Sequence, residues 1–148
     1  MTQAQTLERQ GQLPQAEAAY RQIVADDPAN HAAWHALGLL IFNTGNLPLA
    51  VQCLEAAVAV NGKVALYHRN LGEMYRRLGQ LDKSAQAGRH ATKLPPADLD
   101  AHYNLGLAYW SNGQREAAGT PLAALQAINQ RDPGVAVLAR KMQSMAPS

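Results

Sequence analysis

A 34-residue period constrains what this chain can fold into more than any other feature. Gly11, Gly45, Gly79 and Gly113 stand at that interval. So do Leu37, Leu71 and Leu105, and the glycines that follow them, Gly38, Gly72 and Gly106. Leu13, Leu47 and Leu81 keep the same step, as do the pairs His68/His102 and Asn70/Asn104. A fixed period of this size marks stacked supersecondary units that bury their apolar faces against one another. Between the glycines, apolar residues recur at helical spacing, so each period holds two helices.

Start and stop signals place those helices. A truncated first helix covers 2–10 and ends at Gly11. Pro14 opens the next, where a first-turn proline costs no hydrogen bond, and Asp26-Asp27-Pro28 stops it. Asn30 caps a helix over about 31–43. Gly45 turns the chain, and Pro48 opens a helix over about 48–60. The third period repeats this near 65–77 and 82–93, closed by Pro95-Pro96. Helices near 98–111 (capped by Asp98 or Asp100) and 115–130 follow. Val135, Val137, Leu138, Met142 and Met145 then suggest a final helix that covers the open end of the stack.

Trp34, Leu37, Gly38, Ile41, Ala50, Leu54 and Ala57, with Gly62 where proline is usual, make the second period resemble a tetratricopeptide repeat. The third supplies His68, Leu71, Gly72, Tyr75, Ser84, Gly88, Ala91 and Pro96; the fourth supplies His102, Leu105, Gly106, Tyr109, Ala118, Leu122 and Leu125. The first keeps only Ala16, Tyr20, Ile23 and Pro28. The resemblance implies an all-α fold, a right-handed superhelical α-solenoid of helix-turn-helix repeats with a C-terminal capping helix. It divides one domain, 1–148, into a partial repeat 1–28, repeats at about 31–62, 65–96 and 99–133, and a capping helix at about 134–146. The short first repeat favours a piece of a longer chain over a natural short N-terminus. Gly88 departs from the pattern, which places a large residue there. Mid-helix glycine costs up to about 1 kcal/mol relative to alanine, so either a neighbouring bulky side chain fills the space or the third repeat is locally soft.

Composition removes several classes of function. With 47% hydrophobic and 16% charged residues the chain is a folded domain rather than a disordered one. Cys53 stands alone, which excludes an intrachain disulfide. The N-terminus lacks an apolar run, so neither a signal peptide nor a membrane anchor is expected, and the protein is placed in the cytoplasm. A net charge of +2 is too small to argue for nucleic acid. No phosphate loop, HExxH motif, paired cysteines or nucleophile elbow is present, so the chain is not expected to be an enzyme or to carry a cofactor. His31 and His35 read as two exposed histidines one helical turn apart, without a third metal ligand. His68 and His102 take the position of Trp34 and read as interhelical packing, and Cys53 as a small, partly buried hydrophobe.

In the resembled family the first helices of successive repeats line a concave groove. Carried onto this sequence, the resemblance implies a peptide-binding surface made of His35, Leu39 and Phe42, then Arg69, Asn70, Glu73, Arg76 and Arg77, then Tyr103, Asn104, Leu107 and Trp110. Spacing supports it independently, since 69, 73, 76 and 77 fall on one helical face, as do 103, 107, 110 and 111. Asn70 and Asn104 occupy equivalent positions, and an amide can pair with the backbone of an extended peptide whatever its sequence. The pair resembles the asparagine ladder of O-linked N-acetylglucosamine transferases and part of the carboxylate clamp of chaperone-binding repeats, although Ala36 interrupts the row and the clamp's lysine is missing. Tyr, Trp and Arg dominate binding hot spots. The span 65–96 carries Arg69, Arg76, Arg77, Lys83, Arg89 and Lys93 against only Glu73 and Asp82, which favours an acidic or C-terminal carboxylate ligand. The bland alternatives are a solvated face with an Arg69–Glu73 pair, contributing about 0.2–0.5 kcal/mol, and Phe42 and Trp110 as core residues.

The expected function is a non-catalytic protein–protein interaction scaffold that binds an extended peptide or partner helix. The alternative is the substrate-recruiting domain of a larger enzyme such as a glycosyltransferase. Self-association through the uncapped N-terminal repeat is a further implication. Neither a membrane nor nucleic acid is expected as a partner.

Overall fold

Gly11, Gly45, Gly79 and Gly113 all adopt φ between 76° and 97°, the left-handed region that a Cβ disfavours. Each stops a helix. The N–H of Gly11 donates to the carbonyl of Glu8 and that of Gln12 to Leu7; the same two bonds recur at Gly79/Gln80 and Gly113/Gln114. This is the Schellman closure, which satisfies carbonyls left over at a helix end. The period in the sequence is a period of helix stops.

The computed structural model of the protein describes residues 2–95, 105–110, 112–114 and 117. Six helices follow one another, α1 (Thr2–Arg9), α2 (Leu13–Asp26), α3 (His31–Thr44), α4 (Leu47–Val60), α5 (Ala65–Arg77) and α6 (Leu81–Thr92). Residues 105–110 are helical as well. The helices expected over 115–130 and 134–146 and the Asp98 or Asp100 cap lie outside the described residues. The chain divides into two compact units, Met1–Tyr67 and His68–Ser148.

In the first unit α1 packs on α2, α2 on α3 and α3 on α4. Ala16, Ala33, Ala50 and Ala57 are fully buried, and these small side chains allow the close helix approach that Tyr20, Leu37, Leu40, Ile41 and Leu54 then fill. Pro14 and Pro48 sit in first turns as expected. Asn30 caps α3 by accepting from the Ala33 N–H at 3.0 Å. Asn46, which the sequence reading passed over, caps α4 through the Leu49 N–H at 3.3 Å. Replacing Asn30 with alanine is expected to cost about 1 kcal/mol, and Asn46→Ala less because its bond is longer. Urea denaturation followed by circular dichroism checks both.

In the second unit Ser84, which stands where the second repeat has Ala50, is buried and donates its hydroxyl to the Gly72 carbonyl at 2.8 Å. Ala85, Leu105, Ala108 and Tyr109 form a buried cluster against which Trp110 packs. Gly88 is buried beneath Leu105, and an added Cβ would lie 2.9 Å from Leu105 Cδ1. The first of the two expectations for Gly88 therefore holds: a bulky neighbour fills the space. His68 is buried and its ring stacks on His90, with centroids 5.1 Å apart, which is the packing role its position suggested.

Candidate functional site

On α3 the residues expected to face a ligand are half-buried rather than open. His35 lies against the ring of Tyr67 at 4.6 Å between centroids, and His31 Nδ1 meets the Tyr67 hydroxyl at 2.8 Å. Reading His31 and His35 as two exposed histidines is thus corrected: both are half-buried and share Tyr67 as a neighbour. Among the described residues no group of three or more His, Cys, Asp or Glu is placed to hold a metal ion. Burial pushes the Tyr67 phenol above its ordinary value, so the hydroxyl stays protonated. Leu39 and Phe42, further along α3, are half-buried. Tyr67 was missed in the sequence although a signal was present. The equivalent positions are Ala33 and Ala101, so an aromatic residue breaks the repeat pattern there.

On α5 one carboxylate organises two arginines. Glu73 accepts from Arg76 Nε at 3.0 Å and Nη2 at 2.7 Å, a two-point contact, and from Arg77 Nε at 2.9 Å. These bonds fix both guanidinium planes along the helix, with the side chain of Arg77 still 55% exposed and that of Arg76 34%. Burial by itself would raise the Glu73 carboxyl; the hydrogen bonds and charges of Arg76 and Arg77 outweigh it and hold it below the usual range. Arg69 and Asn70 are half-buried on the same helix. In the fourth repeat, Leu107 is half-buried and Trp110 packs on the Leu105–Tyr109 cluster. Tyr103 and Asn104 lie outside the described residues.

The lowered Glu73 pKa sets a pH dependence with a definite sign. Its stabilisation is complete above the unfolded value near 4.5 and is lost as pH falls through the lower folded value. The stability advantage of the parent chain over Glu73→Gln is therefore expected to shrink between pH 5 and about 3, read from urea midpoints at each pH. A constant difference across that range would remove the ion-pair account.

Two further titratable groups of the first unit, Cys53 and Tyr20, are buried in its core. Cys53 is buried, and burial pushes its thiol up against the opposing charge of Arg21. Tyr20 donates its hydroxyl to Glu8 at 2.9 Å, and burial, that bond and the Glu8 charge together push its phenol up to about 12. Among the described residues no helix is long and apolar enough to cross a membrane.

Two family models, described as tetratricopeptide repeat and TPR repeat, match residues 1–58 and 72–113. The chain is a tetratricopeptide-repeat protein. Its fold matches solved α-solenoids of helical repeats. The crystal structure of MamA gives a TM-score of 0.84 at 21% identity, covering 95% of this chain and 84% of that one. The O-GlcNAc transferase of Thermobaculum terrenum gives 0.70 at 30% identity, covering 84% of this chain and 24% of that one. Among curated proteins, the peroxisomal targeting signal receptor of Candida glabrata is 31% identical over 90 residues, 60% of this chain. The cell division cycle protein 27 homologue of Caenorhabditis elegans is 32% identical over 80 residues, 54% of this chain. The matched stretches span 15% and 10% of those two proteins. Tetratricopeptide repeats generally mediate protein–protein interaction, and proteins built from them are typically non-catalytic.

Proposed function

We propose that this chain is a non-catalytic cytoplasmic scaffold that holds an extended peptide or a partner helix in a concave groove lined by the first helices of its repeats. The observation that carries this reading is the pair Arg76 and Arg77, held in place by Glu73 beside Arg69 and Asn70 on one face of α5. Guanidinium groups already fixed by a carboxylate lose less side-chain freedom when a ligand arrives. They favour acidic side chains or a C-terminal carboxylate, and the Asn70 amide suits a peptide backbone. By repeat register in the sequence, His35, Leu39 and Phe42 of the second repeat and Tyr103, Asn104, Leu107 and Trp110 of the fourth are the further residues proposed to contact the ligand. Isothermal titration of the chain with acidic peptides ending in a free carboxylate tests this. Binding is expected to weaken at least several-fold in Arg76→Gln/Arg77→Gln and on amidation of the peptide terminus. Equal affinity for both peptides and both chains would overturn it.

A second reading is supported by the 30% identity to the O-GlcNAc transferase over 84% of this chain. In it the repeats recruit substrate for a catalytic domain encoded in the same reading frame. A frame extended beyond Met1 or Ser148 into such a domain would favour it; a frame ending at both would favour the free scaffold.

A further inference from the structure

One cavity of the first unit lies apart from the residues proposed to hold a peptide. It opens between α2, α3 and α4 with a volume of about 440 Å³, within the range of roughly 300–1,000 Å³ usual for small-molecule sites. Val24, Leu37 and Cys53, all buried, and the half-buried Leu49 form its apolar wall. Trp34 lines it as well, and its indole N–H donates to the Pro28 carbonyl at 2.9 Å, which holds the ring in place. Among the described residues that line the cavity, Arg21 alone is charged. Its Nε and Nη2 donate to one oxygen of Glu17 at 2.9 and 2.7 Å. That contact uses two of the five guanidinium N–H groups and orients the others. Glu17 itself does not line the cavity.

The repeat register accounts for the open space. Ala56 of the second repeat has His90 as its counterpart one period later, and Trp34 has His68. In the third repeat the His90 ring lies on the His68 ring, with centroids 5.1 Å apart and planes tilted by 23°. There the protein covers the ring of the first helix with a second ring of its own. In the second repeat it offers only the methyl group of Ala56, and the cavity remains beside Trp34.

We propose that this cavity binds a small aromatic carboxylate, with its ring stacked on Trp34 and its carboxylate on the Arg21 guanidinium. A flat ring in offset contact with the indole reproduces what the third repeat builds from two histidines. The carboxylate meets charge-assisted donors whose direction Glu17 has already set. Val24, Leu37 and Leu49 offer no hydrogen bond, so polar groups on the ligand's ring would be desolvated without return. A cationic ligand would meet Arg21 as a like charge. None of the lining residues is among those proposed to contact the peptide, so this site does not depend on that reading.

The test is isothermal titration of the full chain with naphthoate, with the neutral naphthamide and with the saturated decalin carboxylate. Naphthoate is expected to bind at one site, at least about five-fold more tightly than either analogue. Arg21→Gln, an exposed substitution, is expected to remove the preference for acid over amide and to leave the amide's affinity unchanged. Ala56→His supplies the ring found in the third repeat, and with helicity checked by circular dichroism it is expected to weaken naphthoate at least about ten-fold. Naphthoate is also expected to slow alkylation by iodoacetamide of Cys53, the chain's single cysteine and part of the cavity wall. No saturable binding, equal affinity for naphthoate and either analogue, or parent-like affinity in folded Ala56→His would overturn the proposal. So would tighter binding of a short peptide ending in phenylalanine than of naphthoate. A doubled mass in light scattering that naphthoate reduces would also overturn it, since a second copy of the chain would then be the occupant.

Discussion

Replacing Gly88 with leucine, the kind of large residue the family places there, is expected to destabilise the second unit by about 1–3 kcal/mol. Helix propensity alone argues the other way, since glycine inside a helix costs about 1 kcal/mol relative to alanine. The space decides. A Cβ at this position would lie 2.9 Å from Leu105 Cδ1, 3.1 Å from its Cβ and 3.3 Å from its Cα. The first contact yields to a rotamer change, but the last is backbone and yields only if the helical stretch 105–110 moves. Alanine is therefore expected to stay within about 1 kcal/mol of the parent, with propensity offsetting the tight contact. Leucine adds three further carbons where Leu105 already sits. Urea midpoints for the parent, Gly88→Ala and Gly88→Leu measure this, and a leucine variant as stable as the parent would refute the packing assigned to Leu105.

The same argument predicts opposite outcomes for two glycines that share one motif position. Gly38→Ala is expected to cost about 1–3 kcal/mol, while Gly72→Ala is expected to be neutral or to stabilise by up to about 1 kcal/mol. At Gly38 the added Cβ runs into the Leu54 side chain and lies 3.2 Å from both the Ala50 carbonyl oxygen and Cys53 Cβ. At Gly72 its nearest neighbours are the Ser84 carbonyl oxygen at 3.4 Å and Ala87 Cβ at 3.5 Å, ordinary contacts. The difference lies across the helix pair, because the second repeat has Leu54 where the third has Gly88. Leu54 is fully buried, and Leu54→Ala alone is expected to cost about 2–5 kcal/mol. Combined with Gly38→Ala it is expected to cost less than the sum, because the new methyl enters the space the leucine leaves. Full additivity, measured by calorimetry on the four chains of the cycle, would show that the two positions do not meet.

These cases mark where the sequence was legible. Helix ends were readable because they depend on local chemistry: a glycine able to take positive φ, a proline in a first turn, an asparagine before an apolar run. The space above Gly88 was not, because Leu105 fills it from 17 residues downstream and from a different helix. The partner of Glu73 was half-legible. Arg69, Arg76 and Arg77 all stand at helical spacing from it, and the structure places Arg76 and Arg77 on it. Glutamate N-terminal to its cation is the favoured order at i,i+4, so Arg77 was the better choice from sequence alone. The surroundings of His31 and His35 depended on Tyr67, a side chain distant in sequence whose direction no spacing rule supplies.

The central claim, that the groove lined by the first helices holds a polypeptide ligand, is tested most directly by peptide-display selection on the full chain. The selection is run in parallel on Asn70→Ala/Asn104→Ala and on Arg76→Gln/Arg77→Gln, each checked for intact helicity. Peptides with acidic or free C-terminal ends are expected to enrich on the parent and to be lost from both variants. Enrichment of the same peptides on all three folded chains, or on none of them, would contradict the claim.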